Sequence, residues 1–200
     1  MSYPLAQMDR MMAGLVIPCY VVGVDLAAAR VRVSDGGDWT SAWVRWHSVA
    51  AGKARHWRAP SMGEQGVLVS PSGEPAQGTF VPGLYGNAGA PPDNRDHVEV
   101  WRFDDGGSLV YDWAAKSYTI KLPTGTVNIE VGSSKAMVTD DAITAKSIAI
   151  SAEAESITAK ATLITLQGAV QIDGPLRVTG DILGLGKIID TAGNTANHKH

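Results

Sequence analysis

The large aromatic side chains of this chain stop at Tyr118. All six Trp, all five Tyr and both Phe lie at or before that residue, and residues 119–200 contain none. Beyond Thr124 there is a single proline, Pro175. Bulky rings fill a roomy globular core. A stretch without them has chiefly Ile, Val, Leu, Ala and Thr to fill an interior, so that interior must be narrow and repetitive. The chain therefore predicts two architectures in series.

The front half reads as short strands separated by Gly, Pro, Asp and Ser. Strands are expected at 15–24 (LVIPCYVVGV), 29–34 (ARVRVS), 40–46 (TSAWVRW), 66–70 (GVLVS) and 77–81 (QGTFV). Five short strands with a loop-rich middle suit a small Greek-key barrel of the OB type. Residues 5–13 (LAQMDRMMA) predict a short helix before it. Residues 97–103 (HVEVWRF) and 108–113 (SLVYDW), joined by DDGG at 104–107, predict a hairpin.

The back half alternates apolar with polar or small residues: Tyr118, Ile120, Leu122; Val127, Ile129, Val131; Ile148, Ile150; Val170, Ile172. A period of two means strands with one buried face. Residues 142–150 (AITAKSIAI) repeat as 156–164 (SITAKATLI), which points to a β-solenoid or an intertwined β-helix. A helix over 135–168, rich in Ala, Glu and Lys, is the rival reading. The β-branched Thr and Ile at period two argue against it. One such chain carries a thin apolar stripe and open strand edges. Three chains around a common axis pool three stripes into one dry core and pair every edge, so a homotrimer is expected.

Composition closes off several classes. A formal charge of −3 gives no bulk attraction to nucleic acid or anionic lipid. No apolar run approaches the roughly 20 residues of a membrane span. The N-terminus lacks a basic segment before an apolar one, so synthesis in a cytoplasm without a signal peptide is expected. Cys19, the single cysteine, lies in an apolar strand with no neighbouring base and reads as a buried small hydrophobe. Asp104 and Asp105 form a turn rather than a pair of catalytic carboxylates. With no nucleophile motif and no phosphate loop, no catalytic residue is assigned, and neither an enzyme nor a small-molecule substrate is expected. The loop KARHWR (53–58), near Trp39, Trp43 and Trp46, raises a second reading, an OB-fold nucleic-acid-binding protein with a β-rich oligomerisation tail. Residues 1–115 hold nine Lys and Arg against twelve Asp and Glu, which favours a solvated loop with Trp packed into the barrel.

The stretch GEQGVLVSPSGEPAQGTFVPGLYG (63–86) resembles the OB-domain signature of the phage baseplate assembly protein V family, which includes the central spikes of P2-like contractile tails and of R-type pyocins. RVRV (30–33), WVRW (43–46), PSMGEQ (60–65), DGGSLVYD (105–112), an aromatic-free tail and a terminal His-x-His follow in family order. The resemblance implies an all-β chain: an N-terminal OB-fold barrel followed by a C-terminal intertwined triple-stranded β-helix, as a homotrimer. The expected divisions are an N-terminal segment (1–14), an OB domain (15–95), a hairpin connector (96–117), a β-helical needle (118–190) and a metal-binding tip (191–200). It further implies a non-enzymatic spike at the tail tip of a virion or phage-like particle. Such a spike docks on the baseplate hub and is driven through a target bacterium's outer membrane, with no nucleic-acid partner.

His198 and His200 share a face if the chain end is a strand, with Cα atoms roughly 7 Å apart. Alone they are a frayed tail, an accidental pair or half of a metal site. A trimer brings six imidazoles, which suits an octahedral metal better than tetrahedral zinc. The resemblance implies iron, one per trimer, with His198 and His200 as its ligands. His47, His56 and His97 read as surface or packing residues.

Overall fold

A computed structural model describes residues 3–187 and 189. They divide into two units, at Lys146 and Ser147.

The first unit opens with helix α1 (Tyr3–Leu15). Its Ala, Leu, Met and Gln are good helix formers, and Pro4 sits in the first turn, where no N–H is needed. The helix gives way to β-branched Val16 and Ile17. Its last turn approaches the 3-10 turn Pro71–Gly73 backbone to backbone. A Cβ on Gly73, whose φ is +69°, would lie 2.2 Å from the Met11 carbonyl oxygen.

Five strands follow: β1 (Val16–Asp25), β2 (Arg30–Ser34), β3 (Val44–Trp46), β4 (Gln65–Val69) and β5 (Thr79–Leu84). They close into a barrel in the order β1-β2-β3-β5-β4. Every pairing is antiparallel except β3 with β5, where Arg45 faces Thr79 and Trp46 faces Phe80. This is the expected five-stranded OB barrel. Alternation along each strand sends Cys19, Val21, Val31, Val33, Val44, Leu68 and Phe80 into one buried cluster, with Ile17, Val24, Trp39 and Trp46 packed against it. At about 1.5–3 kcal/mol for each fully buried aliphatic or Phe side chain, this core holds the barrel within one chain. Gly66 makes room for its largest member, because a Cβ there would lie 2.6 Å from the Phe80 ring and 2.3 Å from the Val81 carbonyl oxygen.

The expected strand at 40–46 is shorter. Thr40 makes only an isolated bridge to Ser34, while the Ser41 hydroxyl accepts the Val33 N–H at 3.0 Å. There the side chain takes one ladder bond, while the Ser41 N–H still donates to the Val33 carbonyl at 2.8 Å.

Beyond the barrel, β6 (Val98–Arg102), β7 (Ser108–Asp112) and β8 (Ser117–Lys121) form an antiparallel sheet in that order. The expected hairpin forms its first two strands. At its turn, the Gly107 N–H donates to Asp105 Oδ1 at 2.8 Å and Gly106 takes φ +85°. A second antiparallel sheet holds β9 (Val127–Val131), β10 (Ser134–Val138) and β11 (Ile143–Lys146), with β10 central.

The described residues of the second unit, from Ser147 on, contain neither strand nor helix, and all are exposed. The rival helix over 135–168 does not form.

Candidate assembly surfaces

Among the described residues, the tail leaves its apolar side chains exposed. Ile148 is 98 % exposed and Leu183 87 %, and Ile150, Ile157, Leu163, Leu166, Val170 and Ile172 are exposed as well. Each of these side chains is worth about 1.5–3 kcal/mol when fully buried. Monomeric domains rarely leave continuous apolar surface on this scale uncovered. Chemically the arrangement can do one thing well, which is to associate along its length.

A second surface lies on the β6–β7–β8 sheet. The register aligns Glu99, Tyr111 and Tyr118 across the strands, and beside them Trp101, Leu109 and Ile120. All six point to one face, because their positions along each strand differ by two. The Trp101 indole N–H donates to Glu99 Oε1 at 3.0 Å. The Tyr111 and Tyr118 rings lie 6.3 Å apart, and His56 meets Trp101 edge-on at 6.3 Å. Sequence reasoning missed this face. The alternation was present in VEVWR, SLVYD and SYTIK, but only the register shows that the three rows coincide.

Helix α1 carries a third, narrower stripe that sequence reasoning also missed: Leu5, Met8, Met12 and Leu15 are all exposed, at the 3-4-3 spacing of one helix face.

The expected metal ligands His198 and His200 lie outside the described residues. Among the described residues, no group of three or more His, Cys, Asp and Glu gathers to hold a metal. The other histidines fall where expected: His47 is exposed, His56 packs on Trp101, and His97 Nδ1 lies 2.9 Å from Asp96 Oδ1. Cys19 is buried, and its thiol is pushed up to about 11, first by burial. It remains a protonated, apolar group at neutral pH.

The basic loop is not a free cationic patch throughout. The Arg58 guanidinium grips Glu64 with two hydrogen bonds, one of them 3.0 Å, and Glu64 Oε2 also accepts the Ser61 N–H at 2.9 Å. The expectation that the Trp residues pack into the barrel holds for Trp39 and Trp46, which lie against the core. It fails for Trp43, which is exposed; Trp57, within the solvated loop itself, is exposed as well. Trp43 precedes inward-facing Val44 and so points out, under the Arg32 guanidinium at 5.9 Å. Trp57 rests edge-on against Trp46, with ring centroids 5.4 Å apart.

Two family models match in series. Residues 17–85 match the type VI secretion system/phage-baseplate injector OB domain, and residues 99–184 match the Gp138 β-helical trimerization domain. Among curated proteins, the chain is similar to the spike protein of Escherichia phage P2. The two are 27 % identical over 201 residues, covering 98 % of this chain and 92 % of the relative. The OB match coincides with the closed barrel. The trimerization match begins within β6 and runs on into the exposed tail.

Proposed function

With a phage-baseplate injector OB domain and a β-helical trimerization domain matched in series, we propose that the chain is a central spike of the phage baseplate assembly protein V family and that its trimer is the membrane-piercing tip of a contractile tail. It is a structural spike associated with the baseplate and located at the tail of the particle. One observation carries the reading: a barrel that closes within a single chain is followed by a tail whose described apolar side chains are left exposed by that chain. Three tails wound together leave no strand edge to peel, and continuous backbone hydrogen bonding makes the shaft stiff. The barrels serve as the collar that seats the shaft on the baseplate hub. Sheath contraction then drives the shaft through the outer membrane of the target bacterium, without chemistry on a substrate. The pairing of Arg58 with Glu64 removes one cation from the KARHWR loop and disfavours the nucleic-acid reading.

His198 and His200 are the proposed ligands of one iron per trimer. The donor set fits, since three chains give six imidazole nitrogens, the number an octahedral ion takes. Such an ion pins three chain ends, where fraying is otherwise worst. Elemental analysis of the purified trimer should find about one iron per three chains, carried away by His198→Ala with His200→Ala. A trimer that holds no metal, or keeps it in the double variant, overturns the assignment.

The function itself is tested by mass and by place. The full chain should sediment at three times its 21.1 kDa mass, and immunogold should mark the distal tip of contractile particles. A monomer, or label distributed along the sheath, rejects the reading.

A further inference from the structure

We infer that the aromatic face of the β6–β7–β8 sheet is covered by a second copy of this chain, and that it sets the register in which the three tails wind together. The inference rests on the trimeric reading above.

The two faces of this sheet are not equivalent. Val98, Val100 and Val110 on one face are half-buried within their own chain. On the other, Trp101 is 49 % exposed, Tyr118 62 % and Ile120 50 %. A hollow of about 140 Å³ opens among Glu99, Trp101, Leu109, Tyr111 and Tyr118, which is room for a partner's side chain. The indole N–H, a donor that would be costly to bury alone, is already satisfied by Glu99. The face can therefore be covered without orphaning it.

Continuity decides the occupant. The sheet from Glu99 onward falls inside the residues matched to a trimerization domain, 99–184, and that match runs on without a break into the tail. Copies held together through their tails meet this face at high effective concentration. Three half-exposed aromatics hide roughly 100 Å² each, so the face contributes ~300 Å² per chain, over a third of a standard partner footprint. That is too little to hold a complex alone and enough to bias one already held.

The bias is needed because the tail repeats itself. Ile-Thr-Ala-Lys occurs at 143–146 and again at 157–160, so chains offset by one repeat pair nearly as well as chains in step. The aromatic face does not repeat. Rigid rings seated in a partner's hollow admit one alignment, and the repeats downstream inherit it.

Hydroxyl-radical footprinting of the intact trimer tests the contact, with Trp57 and Tyr85 as exposed references. Trp101, Tyr111 and Tyr118 should react several-fold more slowly than the references. If they react as fast in a sample that sediments as a trimer, the face is open and the inference is wrong. If the sample is a monomer, the function proposed above fails first. Register is tested with a nitroxide at Lys160→Cys, read by inter-chain distances. The parent should give one distance, and Trp101→Ala with Tyr118→Ala should add longer ones offset by a repeat. A single unchanged distance in that variant removes the register role, and protection that appears only on adding a separate baseplate protein assigns the face to that protein instead.

Discussion

The barrel and the tail solve the same problem, hiding aliphatic side chains, at different levels of assembly. In the barrel, alternation along five strands converges on Phe80, Leu68 and four valines that one chain buries completely. In the tail the same alternation buries nothing within the chain. The contrast is sharpest in one tetrapeptide. Ile-Thr-Ala-Lys at 143–146 is strand β11, paired with Lys135–Val138, whereas its copy at 157–160 has no strand partner among the described residues. Identical residues therefore have two outcomes, and the difference is a neighbouring strand. A strand is a property of a pair.

The largest expected effect breaks the tail and spares the barrel. Ile150→Asp places three carboxylates where three apolar stripes should meet, at about 3 kcal/mol or more per chain. The variant should sediment as a monomer while the barrel keeps its thermal transition. A variant that stays trimeric would mean that Ile150 faces solvent and that the stripe is drawn one residue out of phase.

The converse substitution is next. Phe80→Ala empties the centre of the barrel and should cost about 3–5 kcal/mol, lowering its unfolding temperature by calorimetry while the trimer mass is unchanged. Loss of the trimer along with the barrel would show the two regions to be coupled. Gly66→Ala attacks the same centre more gently, since its Cβ must displace the Phe80 ring. It should cost about 1–3 kcal/mol, and Phe80→Leu should recover part of that loss. Purely additive losses would place the strain at the Val81 carbonyl instead.

Much of the barrel was legible because inward and outward residues alternate with turn chemistry between them. All five expected strands formed, and the helix expected at 5–13 formed as Tyr3–Leu15. The parallel closure of β3 against β5 is not written in any local pattern; it came with the OB resemblance. Trp43 was misread because aromatic size was allowed to outweigh phase, although Val44 and Trp46 already occupied the inward positions. The association surfaces divide the same way. The aliphatic stripe of the tail could be read from one strand at a time, whereas the aromatic face needed three strands in register. His198 and His200 were legible only as a spacing, and the symmetry that gives the spacing meaning belongs to three chains.

The smallest effect sharpens the barrel alone. Burial pushes the Glu64 carboxyl up, but hydrogen bonds from Arg58 and the Ser61 N–H, with the Arg58 charge, outweigh it and leave the group below the usual carboxylate range. A lowered folded pKa stabilises the fold above the unfolded value, roughly 4.3, and the contribution fades as the pH falls through the folded value. Arg58 is half exposed, so solvent screening keeps its worth to about 1 kcal/mol despite the paired geometry. Arg58→Ala should therefore melt earlier than the parent at pH 7, and the gap should narrow steadily as the pH falls below 4. Melting curves of both proteins at pH 7 and pH 3 decide it. A gap of equal size at both would show that Arg58 acts through the packing of its alkyl stem and not through its charge.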